Sequence, residues 1–436
     1  MSGAATRRWA LSRPGSSGWH PGERGARGRG PVLATSSTKT GLHLLWRWVR
    51  IGTWILIFTF PMQRTVSIGP VGALSKSVGF LAVPLAVGAV LATGRRRRLR
   101  DFEQATLWFA GIVVLSMTWT IDIDLTIPLA GSMVQLAALV LLVRQVAADR
   151  DDVRFLSGAF VAGAWVPVLQ SIYGGLTDAQ LVDGRLRVGE MHPNDLAFTL
   201  VLAMPLAWWL AAQTSERSNL SSGYRRAVVL SCTAFLPAAI YAIVLSGSRS
   251  ALLLAAIALA PVGWTLVANR PRRAFFILLA AIAVAPLAYG LLPSAQTERL
   301  STTSSEISDG TLNNRTTLWD AAFETFGEHV WTGVGAGASR IELGRLTGLE
   351  LGAHNTTLSV ASELGLIGLV PFLLCWLIAC RRALFSAGSS RLVASTLCVV
   401  LTIGLQVRHW EYEKPTWLIL ALLSTMAVAP RNTDEE

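Results

Sequence analysis

Residues 227–246 read AVVLSCTAFLPAAIYAIVLS, twenty positions without a single charge, with Arg225 and Arg226 just before them and Arg249 just after. At about 1.5 Å per residue, a helix of that length crosses a hydrocarbon core of about 30 Å. The same pattern recurs along the chain. Hydrophobic residues make up 52% of the 436 and charged residues 15%, against roughly 25% charged in soluble domains. The charges are segregated into the connections, which excludes a soluble globular domain and predicts an all-α polytopic membrane protein.

Twelve apolar stretches qualify as spans: 44–61, 77–93, 104–120, 126–146, 155–172, 194–213, 227–246, 249–268, 273–292, 358–380, 391–407 and 415–429. The first carries Arg47 and Arg50, and the fourth carries Gln135 and Arg144, so these two are the weakest. Lys and Arg are retained on the cytoplasmic side of such proteins. With both termini inside, 27 of the 38 Lys and Arg residues fall in cytoplasmic segments and 11 outside. The net charge of +11 is then accounted for by topology and lipid contact. No nucleic-acid partner is needed to explain it.

Residues 1–40 are a different material, rich in Gly, Arg, Ser and Pro. The stretch from Pro14 to Pro31 has no apolar period, so a disordered basic cytoplasmic tail is expected there. The four cysteines, Cys232, Cys375, Cys380 and Cys398, all lie within expected spans. They offer neither a disulfide framework nor a thiolate metal site.

From Pro293 to Thr357 the apolar succession gives way to a polar, aromatic-studded segment, assigned to the extracytoplasmic side by the count of basic residues. Loops longer than about 15 residues are uncommon unless they serve function or are disordered. Within it, Leu318, Ala321, Ala322, Phe323 and Phe326 recur at helical spacing over 313–329, with Asn314 placed to cap the helix. Arg315 in the first turn opposes the helix dipole. It reads either as a surface arginine stacked on Trp319 or, with the neighbouring amides, as part of an anion site. His354 precedes Asn355, a natural cap for the next span. It reads either as an interfacial polar residue or as a proton acceptor, since an imidazole of ordinary pKa near 6.5 is mostly neutral at pH 7.

Two further sets lie outside that segment. Ser246-Gly247-Ser248-Arg249-Ser250 is a short hairpin whose arginine sits at the outer edge, either snorkelling to headgroups or clamping an anion. Arg185, Arg187, Glu190, His192, Pro193, Asn194 and Asp195 precede the sixth span, where Asn194 is the expected N-cap. Gly333-Val-Gly335-Ala-Gly337 follows no strand and reads as flexible turn chemistry, not a nucleotide fingerprint. Asp122-Ile-Asp124 has no third ligand nearby in sequence and fits a connecting turn. No metal site and no cofactor is expected.

With these residues placed, the chain resembles the O-antigen ligase and polymerase superfamily of bacterial membrane glycosyltransferases. The resemblance runs over about residues 185–370. It is carried by His192-Pro-Asn194, Ser246-Gly-Ser-Arg249-Ser, Asn314-Arg315 with Trp319, Trp331-Thr-Gly333-Val-Gly335-Ala-Gly337, His354-Asn355 and Glu363-Leu-Gly365-Leu-Ile-Gly368. Ser250 stands where the family often has glycine. The resemblance implies a GT-C-like architecture of about twelve transmembrane helices with one large extracytoplasmic catalytic loop at 293–357. It also implies metal-independent transfer from a polyprenyl-diphosphate-linked glycan donor to a glycan or lipid-glycan acceptor, at the outer face of the cytoplasmic membrane. Arg249 and Arg315 would bind the diphosphate and His354 would activate the acceptor, with Arg187, His192, Asn194, Asn314, Trp319 and Asn355 contacting substrate. The rival class is a transporter or a lipid-linked glycan flippase. Transporters place polar residues near the midplane and often show internal repeats. No repeat is evident in this sequence, and its polar residues cluster at the outer face.

Overall fold

A computed structural model describes residues 36–66, 78, 80–93, 97–177, 181–182, 185–217, 220–269, 272, 314–386 and 388–426. The chain divides into two units, Met1–Gly41 and Leu42–Glu436, and the packing described belongs to the second. The described helices are α1 (Ser36–Phe58), α2 (Ala82–Thr93), α3 (Asp101–Leu115), α4 (Ile123–Val146), α5 (Arg150–Thr177), α6 (Pro193–Ser215) and α7 (Ser222–Leu245). They continue with α8 (Arg249–Ala258), α9 (Ala260–Asn269), α10 (Arg315–Glu328), α11 (Ser339–Thr347), α12 (Thr356–Leu384), α13 (Ser389–Leu405) and α14 (Lys414–Met426). One two-stranded antiparallel ribbon, β1 (Leu181–Val182) with β2 (Arg185–Leu186), precedes α6.

Eleven of the twelve expected spans coincide with a helix or a consecutive pair of helices. The expected span 273–292 lies outside the described residues, as do residues 1–35 of the tail and 293–313 of the long polar segment. Among the described residues, six elements are long and apolar enough to cross a membrane: α4, α5, α6, α7, α8 with α9, and α12. The fourth span, weakened in sequence by Gln135 and Arg144, is one of them. The first is not.

Apolar faces decide the packing. In α6, 83% of the membrane-length window is buried, and this helix packs against α5, α7, α8 and α13. Trp209 of α6 is fully buried, and Phe198 of the same helix packs on the buried Trp410, with ring centroids 4.6 Å apart. α12 packs against α3, α13 and α14. A second, smaller apolar cluster joins Leu318, Ala321 and Ala322 of α10 to Leu343 of α11 and Ala353. The described part of the long segment is therefore folded around its own core, with α10 lying on α12.

The glycine run turns out to be a close-packed joint and not a flexible turn. α12 is broken at Gly365, whose φ is +58° and ψ −159°, so neighbouring backbone groups lose their helical partners. The 330–337 segment supplies replacements: Val334 N–H donates to the Ser362 carbonyl (3.0 Å) and Gly335 N–H to that of Glu363 (2.8 Å). In the other direction Leu366 N–H donates to Val330 (2.8 Å) and Ile367 N–H to Trp331 (3.2 Å). Irregular backbone at membrane depth is tolerated only where protein satisfies it in this way. A Cβ on Gly333 would lie 2.3 Å from the Glu363 carbonyl carbon, and one on Gly365 2.3 Å from that of Trp331. Only glycine allows both approaches. The same segment is fastened to the α3–α4 turn by Trp119 Nε1, which donates to the Thr332 carbonyl (2.9 Å).

Candidate active site

The helix expected over 313–329 is present as α10, and it opens at Arg315. Asn314 does not cap it through its side chain. It sits at the N-cap position in the left-handed region, φ +62°, without a side-chain cap bond, a conformation that asparagine tolerates better than most residues. Trp319 is not held by Arg315: its indole Nε1 donates to the Ala353 carbonyl at 2.9 Å. That bond ties α10 to the residue before His354.

His354 itself adopts φ +50°, a left-handed conformation costing roughly 1–2 kcal/mol for a non-glycine residue. Such strain persists only where the surroundings over-determine it. Here Trp319 holds the backbone on one side. On the other, Asn355 Oδ1 accepts from Leu358 N–H (3.1 Å) and caps α12, as expected. The His354 and His409 rings lie 5.1 Å apart.

The sixth span is capped one step earlier than expected. His192, not Asn194, is the N-cap of α6, its Nδ1 accepting from Asn194 N–H (3.2 Å) with Pro193 at the first helical position. Asn194 is then free to accept from Arg185 through Oδ1 (2.7 Å), while the Arg185 Nε donates to the Ser246 carbonyl (3.0 Å). One arginine thus fastens the start of α6 to the Ser246–Arg249 turn. Arg249, half-buried, is the first residue of α8. Arg187 is exposed just beyond β2.

A segment that sequence reading did not single out completes the site. Arg408-His409-Trp410-Glu411-Tyr412-Glu413 joins α13 to α14. Arg408, only 5% exposed, pairs with Asp195 Oδ1 at 3.0 Å, and Trp410 Nε1 donates to the same oxygen at 2.9 Å. Thr356, the first residue of α12, donates to the Arg408 carbonyl (2.7 Å) and accepts from Trp410 N–H (3.0 Å). The starts of α6 and α12 are joined through this segment. Its signal was six consecutive polar or aromatic residues between two apolar spans, on the side already assigned to His354.

The charges act on one another. Burial, and then the fields of His409, Arg315, Arg408 and His192, hold the His354 imidazole down at about 4. Burial also lowers His192; Asp195 opposes this while Arg185, Arg408 and Arg187 add to it. Burial lowers Arg315, and it brings Arg408 to about 10 against the support of Asp195, leaving both cationic at neutral pH. The arrangement is a neutral imidazole among guanidinium groups, able to accept a proton and to attract an anion. A cavity of about 490 Å³ opens beside His354 and His409.

Asp122 is occupied structurally, its Oδ1 accepting from Leu125 N–H (3.0 Å) as the N-cap of α4. Among the described residues no group of three or more His, Cys, Asp or Glu side chains is arranged to hold a metal ion.

Residues 233–373 match the family model described as O-antigen ligase. The match takes in Arg249, Arg315 and His354, and it ends before Arg408. A comparison with curated proteins returns no match.

Proposed function

We propose, from the match of residues 233–373 to the O-antigen ligase family model, that this chain moves a glycan from a polyprenyl diphosphate carrier to an acceptor hydroxyl at the outer face of the bacterial cytoplasmic membrane. In this reading about twelve spans surround the site, both termini are cytoplasmic and the 293–357 segment is extracytoplasmic. The observation that carries it is the convergence of His409, Arg315, Arg408 and His192 on a strained, neutral His354.

The chemistry follows from that grouping. The acceptor oxygen attacks the anomeric carbon, the bond from that carbon to the diphosphate oxygen breaks, and the electron pair leaves with the polyprenyl diphosphate. Arg249, Arg315 and Arg408 provide fixed cationic donors for the charge that develops there. Arg187 and Asn314 flank this rim, while Asn194, Trp319 and Asn355 hold its frame. The acceptor proton passes to His354. A base near 4 is weak, but two of the fields that hold it down come from Arg315 and Arg408. A bound diphosphate neutralises those fields and raises the basicity of His354 when it is needed. The reaction requires no metal in this scheme.

The test is reconstitution. Purified protein in liposomes, given polyprenyl-diphosphate-linked glycan and acceptor in excess chelator, should release free polyprenyl diphosphate and form a longer or transferred glycan. Loss of activity in chelator with rescue by magnesium or manganese would remove metal independence. Movement of lipid-linked glycan across the bilayer without transfer would replace the reading with a flippase.

A further inference from the structure

The cavity beside His354 differs in charge from the arginine rim. Its lining includes Asp124, Asp195, Glu350, Glu363, Glu411 and Glu413, against Arg64 and Arg340. Glu413 is paired with Arg64 (3.1 Å) and Asp195 with Arg408 (3.0 Å). Among the described residues Asp124, Glu350, Glu363 and Glu411 form no ion pair, and Arg340, His354 and His409 share the lining with them.

Two of these carboxyls are buried, and they are treated differently. Glu363, 4% exposed, is fully engaged: Ser339 Oγ donates to Oε1 and Tyr412 OH to Oε2, both at 3.0 Å. Glu411, 3% exposed, has an Oε2 with no hydrogen-bond partner. Buried polar atoms are nearly always paired, and Glu411, a residue of the cavity lining, keeps an unpaired carboxyl oxygen for which a small side-chain movement would bring a partner in the occupant. Burial, then the neighbouring Glu363 and Glu413, also raises the Glu411 carboxyl well above the usual carboxylate range, so it can offer a proton as well as accept one. Trp410 and Tyr412 add aromatic surface to the same wall. Hydroxyl-rich ligands satisfy such a lining by giving and taking hydrogen bonds at Glu411, and the unpaired carboxyls of Asp124 and Glu350 favour a neutral or cationic ligand over an anion.

We propose that this cavity receives the acceptor sugar and that its acidic lining selects a neutral or amino sugar over a uronic or phosphorylated one. The proposal rests on the transfer reading above and assigns the donor diphosphate to the arginines and the acceptor hydroxyls to the carboxyls.

The experiment uses the full-length enzyme in liposomes with its lipid-linked donor and the native acceptor glycan, untreated or with a fraction of its primary hydroxyls oxidised to carboxylates. Oxidation should raise the acceptor KM at least about tenfold, the equivalent of about 1.4 kcal/mol, and leave the donor KM unchanged. Glu411→Gln should raise the KM for untreated acceptor, again without effect on the donor. Glu350→Lys, at the exposed rim where folding is not at stake, should narrow the gap between the two acceptors. Equal KM values for oxidised and untreated acceptor, or a Glu411→Gln effect confined to the donor KM, would overturn the proposal while transfer itself persists. Absence of any transfer from wild type would instead overturn the functional reading on which it rests.

Discussion

Two histidines stand at the starts of two membrane helices, both near arginines and both held below their ordinary pKa, yet the fold uses them differently. His192 caps α6 itself, with φ −62° and its Nδ1 bound to Asn194 N–H. At α12 the cap has passed to Asn355, one residue later. His354 is thereby relieved of structural duty, held at φ +50°, and no hydrogen bond engages its ring among the described residues. A helix start provides a fixed place for a side chain, and whether that side chain is available for chemistry depends on which neighbour takes the cap.

The comparison breaks if the two histidines respond alike. His354→Ala should lower transfer by about 10²–10⁴, the usual contribution of a positioned base. His192→Ala should mainly cost stability, about 0.5–2 kcal/mol for a lost cap, read as a lower Tm in detergent with a much smaller change in turnover. Equal loss of turnover would return His192 to the chemistry. Next in size is Arg315→Lys. A lysine lacks the planar fork that matches a diphosphate, and losing one fixed donor typically costs about 10²–10³ in rate. Near-wild-type transfer by this variant, with normal protein levels, would make Arg315 a surface residue.

Stability provides the third contrast. Removing one partner of a buried ion pair costs about 3–5 kcal/mol, and Asp195→Asn should fall toward the lower end because the Asp195 side chain is 23% exposed. The smallest effect concerns pH. His354 is neutral in the folded protein down to about 4, whereas the unfolded chain takes up that proton below about 6.5. The unfolded state therefore binds more protons between those values, and stability should fall as pH drops through that window. His354→Gln should flatten the slope there, and an unchanged slope would count against the buried, neutral imidazole. Removing a nearby cation by Arg315→Gln should move the acid limb of kcat/KM to higher pH.

Much of this was legible in sequence, for physical reasons. Uncharged runs such as 227–246 can only be helices if they cross a membrane, and α10 followed its apolar spacing. Asn355 followed from its place before an apolar run. The misses have equally specific causes. Asn194 was expected to cap α6 because asparagine is a strong capping residue, but Arg185 claims its Oδ1 and His192 takes the role. The glycines of 333–337 resembled flexible turn chemistry because sequence does not reveal that α12 breaks at Gly365 to meet them. Arg408 carries no motif that would mark it in sequence. Its partner Asp195 lies more than two hundred positions away, and a pairing of that kind has no local signature.

The central claim is that His354 takes the acceptor proton in glycan transfer outside the membrane. Its most direct test is mass spectrometry of polyprenyl lipids extracted from cells carrying His354→Ala, combined with enzymatic digestion from outside. The account predicts accumulated polyprenyl-linked glycan on the outer leaflet, as single repeat units if the enzyme is a polymerase and as long chains if it is a ligase. No accumulated lipid-linked glycan in this variant or in a deletion strain, with altered uptake or efflux of a small solute, would contradict it.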